Sequence, residues 1–154
     1  MIDKEYYRNL IRDNIYTLSN RMNVALRGEG IERYEPALRR LARDGKLPHW
    51  YLALRQTGCL PNLDGKTIGS VIEILFAAVI ENTSLNDIII PQQRINPARG
   101  VDLPDLDLGV KSPSENFCTS EPFFSAYERI LGGENDVVVF LTDYQKAKKS
   151  PPLR

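Results

Sequence analysis

The chain has 154 residues, enough for one domain with a real core and little more. Hydrophobic content of 42% and charged content of 26% are those of an ordinary globular protein, and 20 basic residues balance 20 acidic ones, so no whole-surface attraction for nucleic acid is indicated. Two cysteines without CxxC spacing, Cys59 and Cys118, and one histidine argue against a disulfide framework or a structural zinc site.

The start, MIDKEYYRNL, is charged and aromatic rather than a secretory leader, and no apolar run approaches ~18 residues. A soluble, cytoplasmic protein without membrane contact is the default expectation. Residues 3–27 read as one helix, because Tyr7, Leu10, Ile11, Ile15, Leu18, Met22, Ala25 and Leu26 recur at three- and four-residue steps, with Gly28 and Gly30 as the stop. A second helix starts near Glu35–Pro36 and carries a basic run, Arg39, Arg40, Arg43 and Lys46. Such a run is either a solvated helix face or a phosphate-contacting surface. PHWYLALRQTG, 48–58, reads as a third short helix, with Trp50 and Tyr51 assigned to the core. LPNLDGK, 60–66, has loop composition.

TIGSVIEILFAAVIEN is the clearest helix in the chain. Ile68, Val71, Ile72, Leu75, Phe76, Val79 and Ile80 follow the helical template, and Thr67 is placed as its N-cap. Glu73 falls about 100° around from Ile72, at the edge of the apolar stripe, where a carboxylate either faces water or is held at the rim of the core. Residues 82–100 connect, with IIIPQQ as a short edge strand broken by Pro91. TSEPFFSAYERILGG predicts a further helix, and DVVVFLTDY, 136–144, a buried strand. KAKKSPPLR reads as an exposed tail.

VDLPDLDLGVKS, 101–112, carries the chemistry. With Leu106–Ser112 extended, period-two alternation puts Asp105, Asp107, Gly109 and Lys111 on one face and Leu106, Leu108 and Val110 on the other, with Asp102 just before. That pattern is either a half-exposed strand with charged outward residues or a metal site with a lysine beside it. Phosphodiester cleavage suits the second reading. Carboxylates hold Mg²⁺, a hard cation that prefers oxygen ligands and polarises bound water, and a lysine orients or deprotonates that water.

GKTIGSVIE at 65–73 followed by VDLPDLDLGVK at 101–111 resembles the MutH-like and type II restriction endonuclease group of the PD-(D/E)XK superfamily. Gly69 to Glu73 matches that group's helix segment, Asp102–Leu103–Pro104–Asp105–Leu106 the start of its second segment, and Lys111 its lysine. The resemblance covers residues 65–142. It implies Asp102 as the central metal-bridging acid, Lys111 as the water-activating lysine and Glu73 as the supporting acid, with Mg²⁺ as cofactor and 5′-phosphate ends as products.

The acid of the family's E-x-K element falls at Gly109. Three explanations stay open: cleavage has been lost and binding kept, another carboxylate substitutes, or the position was changed to give an inactive form. Asp107 lies on the same face, about 6.6 Å back along an extended strand. Glu73 is the better replacement, and Glu115 and Glu121 in the following loop are less constrained.

The remaining candidates have plainer readings beside them. His49 is a general base or a structural histidine. Cys118 is a thiolate near a helix start or a buried inert cysteine. Ser112, Ser114 and Asn116 bond a DNA phosphate or form a turn around Pro113. Neither GxGxxG nor GxxxxGK[ST] occurs, which disfavours nucleotide hydrolysis.

The expected fold is α/β, a restriction-endonuclease-like mixed sheet flanked by helices, with residues 1–60 as a helical N-terminal region on a nuclease-like core at 61–154. The expected function is Mg²⁺-dependent, site-specific hydrolysis of double-stranded DNA, with Asp102, Glu73 and Asp107 holding the metal. Arg39, Arg40, Arg43, Ser112, Ser114 and the tail lysines Lys146, Lys148 and Lys149 are the expected DNA contacts, and a homodimer or second subunit completes recognition. The rivals are a catalytically impaired nuclease-fold module that binds DNA or a protein partner, and a helical interaction domain whose acidic strand is solvated surface.

Overall fold

The computed structural model describes residues 3–42, 44–61, 63, 65–95, 103–111 and 136–139; of residues 65, 66, 111 and 136–139 it describes the backbone. The N-terminal apolar repeat folds as two helices rather than one, α1 at Lys4–Asp13 and α2 at Ile15–Leu26. Asp3 caps α1 by accepting the Tyr6 N–H, and Glu5 and Arg12 sit at the ends where the helix dipole favours their charges. The break falls at Asn14, whose side-chain amide donates to the Leu10 carbonyl oxygen at 2.8 Å while its backbone leaves the helical region. Asparagine competes in this way with the helix's own ladder. Apolar spacing carries no trace of it, because Ile11, Ile15 and Leu18 continue the stripe across the break.

Gly28 ends α2. Its N–H bonds to the Ala25 oxygen and the Glu29 N–H to the Val24 oxygen, the paired bonds of a left-handed helix stop. Gly28 has φ +80°, and a Cβ built there would lie 2.5 Å from the Leu54 carbonyl oxygen. A one-turn 3-10 segment at Ile31–Tyr34 leads into α3, Glu35–Leu41, with Pro36 in its first turn where no N–H is needed. The short helix α4 is His49–Thr57, and Trp50 and Tyr51 are in the core as expected. Tyr51 is fully buried, and its hydroxyl donates to Glu35 Oε1 at 2.7 Å. Burial first, then that carboxylate, pushes its phenol above the ordinary range.

The long helix α5 is Gly65–Glu81, starting two residues before the Thr67 cap expected for it. Ile68, Val71 and Ile72 are buried, and Leu75 to Ile80 are buried without interruption. The helix packs on α2, α3 and strand β1, Leu108–Lys111. After it, Asn86 and Asp87 take positive φ in a tight turn that pairs Leu85 with Ile88. No edge strand forms over 82–95, where Pro91 and this turn interrupt the apolar run.

Strand β1 pairs in parallel with β2, Asp136–Val139, in the register Leu108 to Asp136 and Lys111 to Val139. A restriction-endonuclease-like mixed sheet flanked by helices is therefore not observed. Among the described residues five α-helices build the core, and the strands amount to one pair of four-residue segments. The expected strand at 106–112 shrinks to Leu108–Lys111 within the described residues, because Pro104–Leu106 coils into a 3-10 turn. The helix expected at 119–131 and the continuation of the 136–144 strand past Val139 lie outside the described residues.

Two substitutions test this packing. Phe76→Ala should destabilise by about 3–5 kcal/mol in urea unfolding, the range for emptying a buried aromatic site. Gly28→Ala should lower stability by more than ~1 kcal/mol, since its backbone conformation and the Leu54 carbonyl both oppose a side chain.

Candidate functional site

The acidic stretch is a closed turn rather than an alternating strand. Leu103 and Leu108 pair through reciprocal bonds, Leu103 N–H to Leu108 oxygen at 2.9 Å and Leu108 N–H to Leu103 oxygen at 3.2 Å. Between them Pro104–Leu106 forms a 3-10 turn, and Asp107 takes the left-handed conformation at φ 49° and ψ 47°. Aspartate is among the few side chains that tolerate that region. Leu103, Leu106 and Leu108 all point into the core, at 0%, 0% and 2% exposure. The common face proposed for Asp105, Asp107, Gly109 and Lys111 is thus not formed, and only Gly109 and Lys111 lie in the strand.

Asp105 and Asp107 are turned to cations. Arg94 grips Asp105 with both ends of its guanidinium, Nε to Oδ2 at 3.1 Å and Nη2 to Oδ1 at 2.6 Å. That hydrogen bonding holds the Asp105 carboxyl below the usual carboxylate range, against an opposing push from partial burial. Lys4 Nζ lies 3.3 Å from Asp107 Oδ2, and Arg8 Nη1 donates to the Leu106 carbonyl oxygen at 2.8 Å. Lys4, Arg8 and Arg94 carry no signal in the sequence, since they reach the turn from distant positions with no shared spacing.

Glu73 is half-buried on α5, next to the buried Ile72 and one turn from the exposed Ser70. Its helix packs against β1, so the segments bearing Glu73 and Lys111 are neighbours in space. Asp102, Arg43, Ser112, Ser114 and Lys148 lie outside the described residues, as do Lys146, Lys149, Cys118, Glu115 and Glu121. Among the described residues, no three His, Cys, Asp or Glu side chains gather to hold a metal ion.

The expected basic face of α3 is divided. Arg39 is exposed, whereas Arg40 grips the Glu81 carboxylate at the end of α5 and is a structural tie. His49 sits exposed at the start of α4.

Comparison with protein-family models, curated proteins and solved structures yields no match. Among the described residues, no helix is long and apolar enough to cross a membrane.

The Arg94–Asp105 pair sets a pH dependence of known sign. A carboxyl whose folded-state pKa lies below its unfolded value stabilises the fold above the ordinary aspartate range, and that contribution disappears as pH falls through the folded value. Asp105→Asn should cost up to about 1 kcal/mol at neutral pH, as befits a pair with an exposed arginine. The gap between the two urea midpoints should close as pH is lowered through and below the ordinary aspartate range.

Proposed function

We propose that the chain hydrolyses phosphodiester bonds of double-stranded DNA with Mg²⁺ as cofactor, using Asp102, Glu73 and Lys111. What supports this reading is that α5, the helix that carries residues 65–73, packs against β1, the strand that ends at Lys111, although the two are far apart in sequence. The donors among the described residues do not make a metal site by themselves. Asp105 and Asp107 are occupied by Arg94 and Lys4, and Gly109 has no side chain. In this reading the resemblance gives the metal to Asp102 and Glu73, hard oxygen donors of the kind that suits magnesium. When bound, the cation neutralises phosphate oxygens and acidifies a water. Lys111, at the end of β1, stabilises charge on the scissile phosphate as an ammonium or takes the proton of the attacking water as an amine. Arg39 is the remaining described candidate for phosphate contact.

A second reading has a specific observation in its favour. Gly109, which falls where the resemblance expects an acid, is buried, and Asp105 and Asp107 lie in the turn before the strand rather than in it. A module that binds DNA or a protein partner without cutting it would have this composition.

Incubation of supercoiled plasmid with Mg²⁺ separates the two. The first reading expects nicking or linearisation by the chain or by its Gly109→Glu form, and loss of that activity in Asp102→Ala and Lys111→Ala. Titration calorimetry with Mn²⁺ on the Gly109→Asp form, whose shorter side chain is easier to house, accompanies it. No cleavage and no heat of binding in any folded form would leave the non-cleaving module.

A further inference from the structure

The link between α3 and α4 carries an aspartate followed by glycine, and the proposed function makes no use of either. Asp44, Gly45 and Lys46 are all exposed there. Asp44 Oδ1 accepts the Lys46 backbone N–H at 3.0 Å, which folds the carboxyl along the Gly45 peptide that lies between them. Gly45 has φ +69°, and a Cβ built on it would meet nothing within 4 Å. The carboxyl and the amide that follows it are thus neighbours with open space around them. The other aspartates whose side chains are described lack this arrangement. Asp3, Asp13, Asp105 and Asp107 precede residues with long or branched side chains, and Asp87 precedes the β-branched Ile88. The N–H after Asp107 is also held in the Leu103–Leu108 pair, where Leu108 is buried.

We infer that Asp44 is a site of spontaneous backbone modification: the Gly45 amide nitrogen closes on Asp44 Cγ to give a succinimide, which water reopens to isoaspartate. The nitrogen forms the new C–N bond and gives up its proton, and the hydroxyl of the carboxylic acid leaves with that proton as water. Nothing is oxidised or reduced, and hydrolysis adds one water back. Reopening at the former Asp44 backbone carbonyl breaks its bond to the Gly45 nitrogen. The chain then runs through Cβ and Cγ, one carbon longer, with a free carboxylate on Cα. Glycine is the residue this ring closure favours, because no Cβ crowds the attacking nitrogen and its backbone reaches conformations closed to other residues. The Gly45 N–H first leaves its 3.2 Å bond to the Ala42 oxygen, which an exposed turn allows at little cost. The product is a substrate of the class of methyltransferases that act on isoaspartyl carboxylates. None of this depends on the nuclease reading.

The test warms the folded full chain and a peptide of residues 38–50 in neutral buffer over weeks. An isoaspartyl methyltransferase with a labelled methyl donor then detects the product, and fragment masses place it in the sequence. They also tell it apart from Asp64–Gly65, the other Asp–Gly pair of the chain. Label should appear at residue 44 of the folded chain at a rate within about tenfold of the peptide, as befits an exposed turn that opens readily. Asp44→Asn, which loses ammonia more readily than the acid loses water, should acquire label at that position several times faster. Asp44→Ser should acquire none there. Label at residue 44 in the peptide but not in the folded chain overturns the inference, since the turn would then shield the Gly45 nitrogen. Absence from both overturns it as well. An Asp44→Asn chain labelled no faster than the parent overturns the succinimide route.

Discussion

Burial of the C-terminal half of α5 on all sides is the constraint from which the rest of the structure follows. From Leu75 to Ile80 no residue is exposed, and six consecutive positions cover every direction around a helix. Such a stretch is stable only where other elements enclose it, which α2, α3 and β1 do. Each large apolar side chain withdrawn from water there contributes about 1.5–3 kcal/mol. Toward its N-terminal half the enclosure opens, with Ser70 exposed and Glu73 and Ile74 half-buried. Glu73 on this helix sits where the cover ends.

Enclosure creates a polar problem at the helix's far end, where the last carbonyls lack partners. Asn82 and Thr83 supply donors to the Ala78 and Val79 oxygens at 2.8 and 2.7 Å. The Glu81 carboxylate, whose side chain is only 5% exposed, accepts from Arg40 and from the Gln93 backbone. Burial pushes its pKa up, and the bonds from Gln93 and Arg40 pull it back. A charge so placed is kept by its partners, so Arg40 is committed to the fold and is not a free phosphate contact. The connector that Glu81 anchors carries Arg94, which makes the end of α5 the fixed point from which the acidic turn is held.

Much of the helical part was legible because each helix must bury a stripe, and the stripes of α4 and α5 appear directly as apolar spacing. The Asn14 break was not, because a side-chain bond to Leu10 leaves no mark on that spacing. The acidic stretch misled for a related reason. In DLPDLDLGVK, leucines alternate with polar residues as in a strand, yet Leu103, Leu106 and Leu108 are buried by a coiled turn, not by alternation. Pro104, which lacks an N–H, and Asp107, tolerant of positive φ, were the local signs of that turn. Reading them as part of a strand is what made a mixed sheet the expectation. The partners of the turn were beyond reach, since Lys4, Arg8 and Arg94 are paired to it only by the tertiary fold. The site's own geometry was legible only as far as bringing the Glu73 helix to the lysine strand.

The carboxylates of this stretch are divided by their use. Asp105 and Asp107 gave the segment its metal-site look, but each now compensates a cation and helps close the turn. A dication recruiting Asp105 would have to displace a two-pronged arginine from a carboxylate already stabilised in its charged form. It would also free the turn that sets the entry to β1. Competition of that kind disfavours Asp105 as a ligand. Asp105 and Asp107 thus serve the backbone of the turn, whatever the remaining acids of the chain do.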